Sequence, residues 1–212
     1  GGGVWCDVGF PVVSNCIITG NTSGNQGAGS YGGSLYNCQL IDNYSENMAG
    51  GVYAGVLYNC KLIRNRAFFG GGAYDGIFYN CLFQGNDSGH SGGGLHGAWS
   101  GLCSAYNCTF VGNSASVGGG GAYNGRLNNC IAYYNTAPSG PNCDGATVTY
   151  SCTTPNPGGA GNITNAPSFV DAGGGYGTNH VAGNYRLRTG SPCINTGSNQ
   201  AWMAGAVDMD GL

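Results

Sequence analysis

An asparagine-cysteine pair recurs along this chain at an almost fixed interval, and no other feature limits the fold as strongly. Asn15-Cys16, Asn37-Cys38, Asn59-Cys60, Asn80-Cys81, Asn107-Cys108 and Asn129-Cys130 lead to Ser151-Cys152, a degraded seventh copy, at spacings of 22, 22, 21, 27, 22 and 22 residues. Five residues after each of the first six cysteines stands a second asparagine, at Asn21, Asn43, Asn65, Asn86, Asn113 and Asn135, where the seventh copy has Pro157. Between copies run glycine-rich stretches that end in an aromatic, such as Gly50-Gly51-Val52-Tyr53 and Gly70-Gly71-Gly72-Ala73-Tyr74. Self-similarity at this period marks a solenoid.

Side-chain parity says which solenoid. Cys60 and Leu62 lie two apart and share one face of a strand, as do Cys38 with Leu40, Cys81 with Phe83 and Cys108 with Phe110. Leu35, Leu57, Phe78 and Leu127 are also apolar but precede their cysteine by three residues, the wrong parity for one flat strand. The chain must bend between them, and asparagine tolerates the left-handed backbone of such a bend better than other non-glycine residues. No 3.6-residue period of useful length appears, and glycine stands wherever a helix would have to run. The expected fold is therefore all-β: a right-handed parallel β-helix of about seven coils over residues 1–152, with 153–212 as an irregular cap or docking segment. Coils would stack about 4.8 Å apart, right-handed by the usual rule for parallel crossovers. Like residues would form ladders, with cysteines inside and corner asparagines bonded to those above and below.

The pattern G-G-[GA]-x-Y followed by L-Y-N-C-x-[LF]-x-x-N resembles the parallel β-helix repeats of secreted and surface-attached bacterial proteins, the pectate-lyase-like and polymorphic-outer-membrane-protein-like group. Ala166-Pro167-Ser168-Phe169-Val170-Asp171, Asn184-Tyr185-Arg186-Leu187, Gly190-Ser191-Pro192-Cys193-Ile194 and Asp208-Met209-Asp210-Gly211 resemble the closing segment of large bacterial exoproteins. The resemblance implies an extracellular or cell-surface location. It does not choose among lyase, hydrolase and adhesin, since one fold hosts many functions.

Charge is sparse: 6 Lys and Arg against 9 Asp and Glu, 7% of residues, beside 44 glycines. Six scattered cations make nucleic acid an unsuitable partner, and no apolar run reaches the length of a membrane span. Asp42 aligns with Arg64 and Arg66 with Asp87 one coil apart, so these charges read as inter-coil ion pairs of small weight. No second carboxylate aligns beside Glu46, the one glutamate, as a glycosidase would need. No catalytic residue, cofactor or metal site is assigned, although Asp75 and His96 fall in equivalent turns with His90 near, and Asp208-x-Asp210 echoes half a calcium loop.

Tyr36, Tyr58, Tyr79, Tyr106 and Tyr150 precede the Asn-Cys or Ser-Cys pairs and should form an outward aromatic row, interrupted at Asn128. Copy four is five residues longer near His96-Gly97-Ala98-Trp99, and insertions in solenoids emerge as loops on one face. Tyr36, Tyr58, Tyr79, His96 and Trp99 are accordingly the candidate binding residues, for a protein or a cell-surface glycan. Of the eleven cysteines, seven read as ladder positions: Cys16, Cys38, Cys60, Cys81, Cys108, Cys130 and Cys152. Cys6, Cys103, Cys143 and Cys193 lie off the ladder and are the better disulfide candidates, Cys6 and Cys193 between molecules stacked end to end. The sequons at Asn21, Asn43, Asn86, Asn107 and Asn162 mostly use ladder asparagines and read as coincidental. Residues 1–14 begin inside a glycine turn, so an open first coil, or a coil upstream of it, is expected. A sparsely charged rod with open strand edges favours head-to-tail self-association into fibres, ahead of an adhesin or glycan-binding module and of a carbohydrate-active enzyme.

Overall fold

The computed structural model of the chain describes residues 1–6, 11–98 and 103–204. It is a parallel β-solenoid of about six turns, with coils about 22 residues apart and 3% helix. One sheet runs Ile17–Thr19, Gln39–Ile41, Lys61–Ile63, Leu82–Gln84, Thr109–Val111, Ile131–Ala132, Cys152–Thr153, so seven rungs enclose six windings rather than seven. A second sheet stacks the two-residue strands from Thr22–Ser23 to Ser114–Ala115. The third and largest holds two columns that fuse in the longest strands, Val52–Tyr58 and Ala73–Tyr79.

The bend demanded by parity sits at the asparagine before each cysteine. Asn15, Asn37, Asn59, Asn80, Asn107 and Asn129 all take φ between 52° and 56°. Leu57 and Cys60 thereby both point inward, and both are fully buried. A second left-handed corner follows the next strand, at Gly20, Asp42, Arg64, Gly85, Gly112 and Tyr134. It inverts parity again, so that the asparagine after it also faces inward.

Those inner asparagines form the continuous polar ladder. The Asn43 side-chain Oδ1 accepts from the Asn21 backbone N–H and from Asn21 Nδ2, each at 3.0 Å. Asn65 does the same for Asn43 at 3.1 and 2.9 Å, and Asn86, Asn113 and Asn135 continue the column. From Asn43 onward each Nδ2 gives its other proton to a carbonyl one coil back, as from Asn65 to Leu40 at 2.8 Å and from Asn86 to Leu62 at 2.9 Å. Both protons and both lone pairs of the amide are used, which is what lets Asn65 and Asn86 sit at 0% exposure. Glycine faces this column: a Cβ on Gly72 would meet the Gly94 carbonyl at 2.5 Å and the Asn86 amide at about 3 Å.

The ladder assigned to the asparagines before the cysteines thus divides in two. Asn37, Asn59 and their equivalents supply the corner backbone with partly exposed side chains, as where Asn37 Nδ2 donates to Asn15 Oδ1 at 3.3 Å. The buried stack belongs to the second set. It does not stop at Pro157, because Asn142 from the preceding glycine run takes the place: its Oδ1 accepts from Asn135 N and Nδ2 at 3.1 Å.

The apolar interior is two leucine and phenylalanine columns, Leu35, Leu57, Phe78, Leu127 and Leu40, Leu62, Phe83, Phe110, closed by Val52, Ala73, Leu95 and Ala122. Phe83 stacks on Phe110 at 4.4 Å and meets Phe78 edge-on at 5.1 Å.

After the seventh rung, residues 154–163 make one more short turn over the end of the solenoid, bridged in parallel at Cys152 and Ile163, with Tyr150 N–H donating to Ala160 O and Ile163 N–H to Ser151 O at 2.8 and 2.9 Å. The chain then turns back along the flank as an antiparallel pair, Phe169–Asp171 with Asn184–Leu187. Its loop docks where two corner glycines leave room. Gly177 N–H donates to Gly112 O at 2.7 Å, and His180 sits over Gly85 and Gly112 with its ring bonded to Tyr185 Oη at 2.8 Å and Gly175 O at 3.0 Å. Thr153 still belongs to the seventh rung, and residues 154–204 form the end cover and flank strap in succession. No helix among the described residues is long and apolar enough to cross a membrane.

Candidate interaction surfaces

The outward tyrosine row is present but shorter than the sequence suggests. Tyr36, Tyr58, Tyr79 and Tyr106 stack in that order with centroids 4.8, 4.8 and 5.2 Å apart and planes within 13°. Beyond them Asn128 Nδ2 bonds to Thr149 Oγ1 at 2.8 Å. Tyr150 leaves the row: with φ 50° it takes the corner that asparagine fills elsewhere.

A second column was not read as such from the sequence. Trp5, Tyr31, Tyr53, Tyr74, His96 and Tyr123 form one continuous stack, with steps of 4.3, 5.1, 5.6, 4.7 and 5.1 Å. Its signal was available, since each glycine run ends on an aromatic at the same offset. Burial, more than the neighbouring phenols and Asp75, raises the pKa of Tyr53, Tyr58, Tyr74 and Tyr79 above the ordinary phenol value, so the hydroxyls stay neutral. In both columns the ring faces lie against one another. A sugar ring would have only edges and hydroxyls to touch at Tyr58 and Tyr79, not the face on which such rings pack.

His96 belongs to this stack and not to an Asp-His pair. The register places Tyr74 opposite His96, and Asp75 Oδ1 accepts the Ala98 N–H at 2.9 Å. The imidazole is 7% exposed, and its Nδ1 has no hydrogen-bond partner. Burial first and the neighbouring His90 second bring its pKa down to about 4, so the ring is neutral at pH 7. Trp99, Asp208 and Asp210 lie outside the described residues. Asp42 and Arg64 pair at 2.7 Å, and Arg66 meets Asp87 at 3.3 Å, as the inter-coil alignment suggests. Among the described residues no group of three His, Cys, Asp or Glu side chains is placed to hold a metal ion.

The cysteine column has a specific task. Each thiol donates to the carbonyl two residues back: Cys38, Cys60, Cys81 and Cys108 do so at 3.3 Å and Cys130 at 3.4 Å. The sulfur accepts the cysteine N–H of the coil before, as Cys60 does from Cys38 at 3.3 Å and Cys108 from Cys81 at 3.4 Å. That N–H follows the left-handed asparagine and lacks a sheet partner, so the thiol serves as its cap. Burial raises the pKa of Cys38 and of Cys108, which keeps the S–H donor in place. Cys16, in the first rung, is exposed instead of inward-packed.

Cys152 is not on this column. Ser151 Oγ accepts the Cys130 N–H at 2.9 Å and donates to Thr149 O at 2.8 Å, the two bonds a ladder thiol makes. The seventh copy is thus shifted by one residue, and a one-residue shift turns a side chain to the other face. Cys152 pairs with Ile131, an outward position. It is nonetheless 3% exposed, because the C-terminal segment covers it, and its Sγ donates to Asn165 O at 3.1 Å.

The off-ladder cysteines also find definite places. Cys6 is buried, with its sulfur against Gly33, so a bond from Cys6 to another molecule lacks access. Cys103 is fully buried in the core. Cys143 packs against the core with its thiol 3.7 Å from Thr153 Oγ1, and burial pushes its pKa up to about 12. All eleven are free thiols.

The remaining surface is the edge of the first coil. Val4–Trp5, Val12–Ser14, Ile17–Thr19 and Thr22–Ser23 each pair with the following coil, and among the described residues none pairs on the other side. Trp5, Val12 and Ile17 are 59, 68 and 66% exposed there.

Comparison with protein-family models, with curated proteins and with solved structures found no match. The likeness to bacterial exoproteins therefore rests on the repeat residues quoted above.

Proposed function

We propose that this chain is a non-catalytic structural solenoid of the cell exterior that associates with copies of itself end to end. The observation that carries the reading is the like-on-like stacking of the coils, whose strands and aromatic columns match from one winding to the next. Unpaired strand edges recruit further strands. The surface that fits best is another winding of the same outline, with an aromatic to face Trp5 and strand edges at the three matching places, and a second copy supplies such windings. Stacking of one copy on another joins unlike ends, and such a contact propagates instead of closing. Sparse charge gives little repulsion to oppose it. The repeat's resemblance to surface-attached bacterial proteins supports the exterior location, while the stacked ring faces weigh against glycan capture as the main task.

Sedimentation velocity and electron microscopy over a concentration series test the proposal. Filaments or linear oligomers that disappear in Ile17→Lys, an exposed position whose change leaves the core intact, are expected. Dispersed single rods at every concentration would remove it.

A further inference from the structure

The one-residue shift in the seventh copy has a chemical consequence at the C-terminal strap. Cys152 points outward from its strand and donates to Asn165 O at 3.1 Å, Ser191 Oγ bonds to Pro167 O two residues on, and Ser191 Oγ in turn accepts the Cys193 N–H, a chain of contacts that brings the Cys193 thiol up beside Cys152. Two further contacts hold the strap in the same place. Asn129 Nδ2 donates to Ser198 O at 2.6 Å, and Ser198 N–H donates to Asn129 Oδ1 at 2.7 Å. Ser191 Oγ accepts the Cys193 N–H at 3.3 Å, which orients that residue. A ladder cysteine at this rung would have faced the interior, out of reach of the strap; serine keeps the ladder bond and frees the cysteine for the outer face.

We propose that Cys152 and Cys193 form a redox-controlled covalent clasp that fastens the C-terminal strap to the last winding. The partner is a small-molecule disulfide of the glutathione class. Cys193 is half-buried whereas Cys152 is buried, so Cys193 is the thiol that such a molecule reaches. Its hydrogen bond with Cys152, followed by the opposing effect of burial and a bond from Ser191, lowers the pKa of Cys193 and so favours its thiolate, and the same shared bond raises the pKa of Cys152. The Cys193 thiolate attacks one sulfur of the small disulfide, breaking its S–S bond and releasing one thiolate. Cys152 then loses its proton and attacks the Cys193 sulfur of the mixed disulfide, which expels the second small thiolate. Two protein thiols are oxidised to one disulfide, and the small disulfide is reduced to two thiols. The clasp closes the loop that contains the end cover and the flank pair, so it holds the strap even when the His180 contact opens.

The test takes the full chain with Cys16→Ser, which removes the exposed competing thiol, and incubates it with oxidised glutathione. Alkylation without reduction and peptide mapping follow. The expected result is one intramolecular link joining the Cys152 and Cys193 peptides, two fewer alkylated thiols than in the reduced sample, and proteolysis within 165–204 slowed at least about tenfold until a reductant is added. Adding Cys193→Ser should abolish both the link and the protection while leaving the thermal transition of the reduced protein unchanged. Cys193 found only as a glutathione adduct, linked to another cysteine or still fully alkylatable would overturn the proposal, as would undiminished protection in the Cys193→Ser chain.

Discussion

Replacing one buried asparagine should cost far more in the middle of the column than at its start, although the residue and its local sequence pattern are the same. Asn65→Ala removes the side-chain acceptor of the Asn43 backbone N–H and the side-chain donor to the Leu40 carbonyl, strands one proton of Asn43 Nδ2, and leaves the Asn86 Oδ1 with the backbone N–H of residue 65 alone. All of these groups lie at or below 1% exposure. Leaving a buried polar group unpaired costs about 1–3 kcal/mol. Counting only the Asn43 N–H and the Leu40 carbonyl, and allowing for relaxation into the small space left by the amide, the loss should be about 3–5 kcal/mol. Asn21→Ala removes a side chain that donates to Asn43 at 3.0 Å and to Thr19 O at 3.2 Å but caps no residue before it, so its cost should stay near 1 kcal/mol. Equilibrium urea unfolding followed by circular dichroism reads both, with unchanged m-values as the check that the same transition is compared. A difference below about 1 kcal/mol between the two variants would refute the claim that the asparagines act as one hydrogen-bonded column.

Three further outcomes follow from the same geometry. His96→Phe should keep the aromatic stack while removing an imidazole whose folded pKa, about 4, lies below the ordinary value of about 6.5. The unfolded chain then takes up a proton before the folded one does, so His96 withdraws stability as pH falls from about 6.5 to 4; the gap between variant and parent in thermal scans should widen over that window, by up to about 3 kcal/mol, and a constant gap would count against a buried neutral ring. Gly112→Ala should release the flank strap, because its Cβ would overlap His180, whereas Gly20→Ala at the equivalent corner meets nothing within 4 Å and should cost about 1 kcal/mol for its left-handed backbone alone; limited proteolysis within 170–190 of only the first variant is the expected pattern. Cys60→Ser should be milder than Cys60→Val, since serine at position 151 already makes the ladder contacts that a hydrocarbon cannot; equal losses in urea unfolding would deny the sulfur its role as acceptor.

The winding itself was legible because parity is unforgiving: Leu57, Cys60 and Leu62 can all be buried only if the chain turns at Asn59. The ion pairs of Asp42 with Arg64 and Arg66 with Asp87 were readable from alignment alone. Which asparagine stacks was not, because the reading recognised one parity inversion where there are two. The second lies at Arg64 and its equivalents, where side-chain type gives little warning of a left-handed backbone. The seventh copy misled for a related reason. Aligning Cys152 with Cys130 follows residue identity, but the backbone needs an acceptor at the ladder position, and Ser151 supplies one. The path of residues 165–204 along the flank depends on notches at Gly85 and Gly112 that become visible only once coils are stacked. Asp75 and His96 appeared to share a turn because the alignment carried a one-residue error that the strand register removes.

The central claim is that residues about 22 apart in sequence lie directly above one another. Through-space transfer between asparagine side-chain amides, measured by NMR on a sample labelled only at asparagine, tests it most directly. The account predicts cross-peaks from Asn65 to both Asn43 and Asn86, continuing through Asn113 to Asn135. Well-resolved amides without those contacts, or amides that exchange with water as freely as exposed ones, would contradict it.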